Sequence, residues 1–176
     1  MQKEYLELWK GCVEFHGHEC GGLAVGFRAA LYAKELLGEE RSEDEELVCI
    51  AETDACGVDA IQVILGCTVG KGNLVFDMQG KNVFSFYSRK TGKSCRLVLR
   101  RTPDKSKEER LEWLMNGDYH EMFDIKEAPS PIPEKARIFK AYICDVCKEG
   151  VAEYYVRMQQ GKTVCSRCFS SYSRGL

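Results

Sequence analysis

Apolar side chains recur at three- and four-residue intervals near the start of the chain. Tyr5, Leu8, Trp9, Cys12 and Val13 fall on one face over residues 2–14, which predicts a helix with one buried side. The pattern then changes. LAVGFRAALYAKELLG, residues 23–38, is apolar nearly all round, and Gly26, Ala29, Ala30 and Ala33 permit close packing. This stretch predicts a central buried helix that stops at Gly38, where a left-handed cap costs glycine little. The charged ERSEDEE run reads as a solvated loop, and LVCIAET, residues 47–53, as a short strand. DACGVDAIQVILG predicts a second apolar helix, capped by Thr53 or Asp54, that turns Ala60, Ile61, Ile64 and Leu65 inward and ends at Gly66. LVFDM, NVFSFYSR and SCRLVLRR predict three strands of an antiparallel meander, with turns at Gln79-Gly80 and Thr91-Gly92. A further helix runs from about Ser106, with Ser106 or Asp104 as its cap, to Asn116-Gly117. His120 stands apart near its end and reads as structural or solvent-exposed. The expected fold class is α+β, with helices packed on a mainly antiparallel sheet.

Residues 128–135, APSPIPEK, hold three of the four prolines and predict a linker, since proline blocks both helix and ladder pairing. This divides the 176 residues into a main domain over 1–127 and a small module over 136–176. Charge is uneven although the net value is only -2. Residues 1–60 carry five cationic against fourteen anionic side chains, residues 61–128 twelve against nine, and residues 129–176 eight against four. That balance gives no general case for nucleic acid. The amphipathic N-terminus does not resemble a secretory signal, and no apolar run has the length to span a bilayer, so a cytoplasmic location without membrane attachment is expected. Ten cysteines in a reducing compartment are expected as ligands, nucleophiles or packing residues rather than disulfides.

Four of those cysteines form two knuckles, Cys144-x-x-Cys147 and Cys165-x-x-Cys168, separated by 17 residues. The spacing suits a four-thiolate structural zinc site in a zinc ribbon or treble clef, and so short a module needs the metal to fold. A second concentration of chemistry is FHGHECGG, where His16, His18 and Cys20 lie within five residues among glycines. In an extended or loop backbone alternate side chains share a side, which offers a metal half-site; the plainer reading is a histidine-containing loop before a buried helix. Cys56 falls in the first turn of the second apolar helix, where the helix dipole favours a thiolate; otherwise it is a small core residue. Asp59 lies one turn on, placed to accept a proton or bind a ligand. Lys71 sits in the glycine-rich GCTVGKGNL, whose backbone and ammonium suit an anion although the Walker spacing is absent. Cys12, Cys49, Cys67 and Cys95 read as packing residues, with Cys67 nearest to a functional position.

FHGHECGGLAVGFRAA, ETDACGVDAIQVILGCTVGKGNL and DMQGKNVFSFY together resemble the FmdE family of formylmethanofuran dehydrogenase components, and the tail resembles the zinc finger of some of its members. The likeness spans most of residues 10–100, with Gly21 standing where the family loop usually has proline. It implies an α+β domain, an intertwined homodimer, and a metal site built from His18, Cys20 and Cys56, with His16 next. Zinc or another transition metal would occupy it, and Asp59 and Lys71 match polar positions beside it. In this reading Asp59 acts as general base and Lys71 neutralises an anionic group. The resemblance also implies a molybdoenzyme or molybdenum-cofactor partner. An oxidoreductase component or accessory protein is the first functional reading. The second is a regulatory or interaction protein whose zinc finger binds nucleic acid or protein, and the third a thiol redox role for Cys20 and Cys56.

Overall fold

A computed structural model describes residues 2–101, 106–129, 131–172 and 174 of the chain. It divides into two compact units, Met1–Ala136 and Arg137–Leu176.

The first unit opens with α1 (Gln2–His16) and α2 (Gly21–Leu37). As its all-round apolar pattern requires, α2 is the most buried helix, with Leu23, Phe27, Ala29, Ala30 and Ala33 inaccessible to solvent. Gly38 closes it in the left-handed conformation at φ 67°. Strand β1 (Leu47–Ala51) leads into α3 (Gly57–Leu65), followed by β2 (Leu74–Phe76), β3 (Val83–Ser88), β4 (Ser94–Leu99), α4 (Lys107–Asn116), α5 (Tyr119–Met122) and β5 (Phe123–Lys126). The sheet order is β2-β1-β3-β4-β5. β1 lies inside the sheet, parallel to β2 and antiparallel to β3, and the β3–β4 and β4–β5 pairs are antiparallel. The expected simple meander is therefore corrected: β2 sits on the far side of β1 from β3. Since α3 lies between β1 and β2 in the chain, the parallel pairing is a crossover connection through a helix.

One face of the sheet, carrying Cys49, Ala51, Phe84, Phe86 and Leu97, joins the helices in a single apolar core. On the other face, Val48 and Tyr87 are covered by Ala128 and Ile132, and the Tyr87 hydroxyl donates to Pro129 O at 2.6 Å. The proline-rich stretch read as a linker thus packs on the first unit over its described residues; Ser130 lies outside them. Two local readings also change. Ser42 in the charged run is buried, and its hydroxyl donates to Glu46 Oε2 at 2.7 Å, so this loop is more than a solvated excursion. Ser106 caps α4 through a full capping box with Glu109, while Asp104 lies outside the described residues.

In the second unit β6 (Ala141–Ile143) pairs with β7 (Gly150–Ala152), and β8 (Val156–Gln159) with β9 (Lys162–Cys165), both antiparallel. Gln160 and Gly161, at φ 50° and 73°, turn β8 into β9 as a two-residue hairpin loop requires. Each knuckle follows a strand. This is a ribbon of two hairpins, and no α-helix follows the second knuckle among the described residues.

Candidate metal centre

The first site depends on how closely α2 and α3 cross. A Cβ on Gly26 would lie 1.9 Å from Gly57 O, and one on Gly57 would lie 3.1 Å from Gly26 N. Only glycine permits this approach. It sets the N-termini of the two helices side by side, and each is capped by a cysteine: Cys20 for α2, Cys56 for α3. Gly22 keeps the gap between them open, because a Cβ there would come within 3.4 Å of Cys56 Sγ and 3.8 Å of Cys20 Sγ.

The third member is His16. It is the last residue of α1, not part of an extended strand. Gly17, at φ 96°, turns the chain immediately after it, and the Gly17 N–H donates to Val13 O at 2.7 Å. This turn carries His16 and Cys20 to one place, with His16 Nε2 3.8 Å from Cys20 Sγ. One ligand atom from each of His16, Cys20 and Cys56 lies within 4.8 Å of the other two. His18 is not in this group. Its exposed ring stacks on His16 instead, with centroids 4.5 Å apart. The expectation that alternate residues of the loop share a side fails because a helix end and a glycine turn replace the extended backbone it assumed.

Asp59 stands behind His16, with Oδ2 2.7 Å from Nδ1. A carboxylate only accepts, so Nδ1 is the ring nitrogen that donates, and Nε2 is the one left to face the thiols as a metal ligand would. Gln62 Nε2 donates to the other oxygen of Asp59 at 3.2 Å. Both oxygens of Asp59 are thus engaged, one by His16 and one by Gln62, an arrangement that suits positioning of the ring as well as the general-base role expected from sequence. Lys71 is also relocated. Its ammonium donates to Glu43 O at 3.1 Å and Ser42 O at 3.4 Å, beyond the C-terminal end of α3, while Cys56 caps the opposite end.

Cys56 is the cap itself, with helical backbone and no side-chain cap bond; Thr53 Oγ1 instead accepts from Ala55 N at 3.1 Å in the preceding turn. Burial first, then the hydrogen bond with Cys20, push the Cys56 thiol up, opposite to the lowering expected at a helix start. Two adjacent thiols in a half-buried site would need a nearby cation to ionise together, and with one imidazole they form a borderline-soft donor set that fits a transition metal. The remaining cysteines of this unit are buried. Burial pushes the Cys12, Cys67 and Cys95 thiols up to about 12 and that of Cys49 well above its ordinary value.

In the second unit, Cys144, Cys147, Cys165 and Cys168 form a four-thiol group able to hold a metal ion. Backbone N–H groups of Cys147 and Cys165 lower the Cys144 thiol to about 6. Asp145 locks the knuckles together, donating from its N to Thr163 O at 2.8 Å and accepting from Thr163 N at 2.7 Å.

The fold and its two cysteine groups thus define an α+β protein with a helix-built His/Cys/Cys site and an appended four-cysteine ribbon. The family model described as FmdE, Molybdenum formylmethanofuran dehydrogenase operon, matches residues 15–145, and the chain belongs to the FmdE family. A crystal structure of a tungsten formylmethanofuran dehydrogenase FmdE-like protein from Syntrophus aciditrophicus superposes with a TM-score of 0.66 at 27% identity, covering 85% of this chain and 86% of that one. A relative from Archaeoglobus fulgidus described as "Probable S-adenosyl-L-methionine-binding protein" is 29% identical over 204 aligned residues. That match covers 97% of this chain and 55% of the relative, so the chain spans about half the length of the protein it matches. No helix among the described residues is long and apolar enough to cross a membrane.

Proposed function

We propose that this FmdE-type chain is a metal-dependent catalytic or accessory component, working with formylmethanofuran dehydrogenase-type chemistry of a molybdenum or tungsten enzyme, or with the cofactor of such an enzyme. The observation that carries the reading is the convergence of His16, Cys20 and Cys56, with Asp59 bonded to His16 Nδ1. Three such ligands suit zinc or a similar ion and leave one position for an exogenous group. Bound there, the ion supplies Lewis acidity. The chain's own residues hold His16 in its ligating form, place the thiols at two converging helix N-termini, and keep the site half-exposed and reachable.

In the ribbon, zinc held by Cys144, Cys147, Cys165 and Cys168 is structural. Ten free cysteines suit a reducing cytoplasm. A homodimer is supported by the exposed Phe76 on edge strand β2 and the exposed Met78 just after it, apolar surface that a second copy would cover. A second functional reading, nucleic-acid or protein binding by the ribbon, rests on the exposed Tyr154 and Tyr155 and on Phe139, whose ring lies 5.7 Å from that of Tyr154.

The deciding experiment is elemental analysis of wild type and Cys56→Ala after mild chelation. Two metals per chain in wild type and one in the variant are expected. One in both would sink the metal-centre reading, and a reversible Cys20–Cys56 disulfide without metal would replace it by thiol redox chemistry. Salt-sensitive DNA binding that disappears on deletion of residues 137–176 would instead favour the ribbon reading.

A further inference from the structure

Four of the cations in residues 61–128 gather at one end of the sheet. A cavity of about 340 Å³ opens there, where the segment entering β3 meets the end of β4 and the first turn of α4. Lys81, Arg100, Arg101 and Arg110 line it, and no acidic residue does. Val83 and Val98, partners across the β3–β4 pair, supply apolar lining. The backbone beneath the cations is fixed by the sheet. Lys81 N donates to Glu52 O at 3.1 Å, Leu99 N to Asn82 O at 3.1 Å and Arg100 N to Met122 O at 2.9 Å. The lining includes none of His16, Cys20, Cys56 and Asp59.

The acids that meet these residues leave the excess unbalanced. Glu52 is buried and takes the Arg96 guanidinium at 2.5 Å, with the Lys81 ammonium further off at 3.9 Å. Asp124 accepts from Arg100 Nε at 2.7 Å, and Glu109, next to Arg110, accepts from Ser106 N at 2.8 Å in the capping box. The side chains of Arg101 and Arg110 have no partner among the described residues. Arg110 Nε is moreover closed off from solvent without an acceptor. Such an orphaned donor is costly, so the fold holds this guanidinium at the cavity wall without supplying its counter-charge. An anion accepting from the terminal nitrogens would offset that cost, and the planar fork of arginine matches phosphate oxygens.

We propose that this cavity is a second binding site, independent of the metal centre, for a small molecule carrying a diphosphate group. Arg101 and Arg110 hold the diphosphate, Lys81 and Arg100 add charge around it, and Val83 and Val98 meet the rest of the ligand. Four cations around so small a volume, two of them unpaired, call for more negative charge than one phosphate monoester brings, about -2. The volume lies within the range of small-molecule sites, about 300–1,000 Å³. A cavity of this size favours a small ligand over nucleic acid, whose binding draws on a basic surface spanning many phosphates.

The test is calorimetric titration of the full-length chain with pyrophosphate and with sulfate at fixed ionic strength. Wild type is expected to bind pyrophosphate at least about tenfold more tightly than sulfate. Arg101→Gln and Arg110→Gln should each weaken pyrophosphate binding about tenfold, and Arg110→Lys should recover part of the loss. Two controls should bind as wild type does: Lys10→Gln, which removes one exposed charge from α1, and Cys56→Ala, which disables the metal centre. No preference for pyrophosphate in wild type, or an equal loss in Lys10→Gln, would overturn the proposal. A loss in Cys56→Ala would also overturn it, by placing the anion at the metal. Duplex DNA is titrated in parallel: DNA binding that falls in the arginine variants while pyrophosphate binds no better than sulfate would make this face a nucleic-acid surface instead. Should Arg110→Gln fail to fold, the exposed Arg101 decides the outcome alone.

Discussion

The two cysteine groups solve one chemical problem in opposite ways. In the ribbon, four thiols come as two local pairs, each shaped by its own knuckle, and backbone N–H groups already draw Cys144 down to about 6. In the first unit the ligands are residues 16, 20 and 56, brought together by a helix crossing, and burial holds the Cys56 thiol up. The ribbon has almost no core of its own: Cys144 and Val164 are its only buried apolar residues among those described. The first unit buries a continuous core from Trp9 to Phe123. A metal bound in the ribbon would therefore supply folding energy, whereas one bound in the first unit would meet a large core that does not depend on it.

The largest expected effect tests that contrast directly. Cys165→Ser should unfold the ribbon, since structural zinc contributes roughly 10 kcal/mol or more. NMR would show collapsed dispersion over 137–176 and unchanged signals from the core of the first unit. Cys56→Ala should do the reverse, losing one metal with both units folded; a first unit that unfolds on losing its metal would break the comparison. Next comes Gly26→Ala, which drives a Cβ into Gly57 O and forces α2 and α3 apart. A loss of about 1–3 kcal/mol in urea denaturation is expected, together with loss of the first metal and retention of the second. A smaller effect is expected for Asp59→Asn, which should weaken first-site metal affinity by about 10- to 100-fold without changing the ribbon. An unchanged affinity would remove Asp59 from its positioning role.

The smallest effect separates His16 from the other histidine paired with carboxylates. His120 has an acid on each nitrogen, Asp118 at 2.6 Å and Glu35 at 3.0 Å, so it has no lone pair for a metal. Its pKa is raised, by Asp118 first and then Glu35. The stabilisation is thus fully present below its ordinary value near 6.5 and is lost as pH rises through the raised value. Glu35, lowered by the Tyr119 hydroxyl and then His120, and Asp118, lowered by the His120 N–H and ring, contribute above their ordinary values and lose that contribution in acid. Wild type should therefore exceed His120→Gln in thermal stability most clearly between about pH 4.5 and 6.5, with the gap shrinking on either side. Metal content should not change.

Much of the first unit was legible in residue order. The all-round apolar pattern of residues 23–37 announced a buried helix, Gly38 and Gly66 marked the helix ends, and Ser106 the α4 cap. Four of the five strands of the first unit were visible and β5 (Phe123–Lys126) was not; which strands are neighbours was not legible either, because periodicity reports which face of a strand is buried and carries nothing about which strand lies beside it. The same limit explains His18 and His16. Spacing alone made them equivalent, and the decision lay with Gly17, whose positive φ ends α1 at His16. Lys71 looked like a neighbour of Cys56 in sequence but is separated from it by the length of α3.

By itself the sequence determined the donor inventory, the local knuckles of the ribbon and the α+β class, since these depend on residue type and on spacings within a turn or two. The tertiary structure decided which donors meet, because α1, α2 and α3 are joined there by packing and not by chain proximity. It also decided what Asp59 meets, bringing His16 to 2.7 Å from its carboxylate. A glycine pair that lets two helices approach, at Gly26 and Gly57, is silent in a pattern of hydrophobic and polar positions. Its meaning lies in the absence of a side chain at one point of contact between segments distant in the chain.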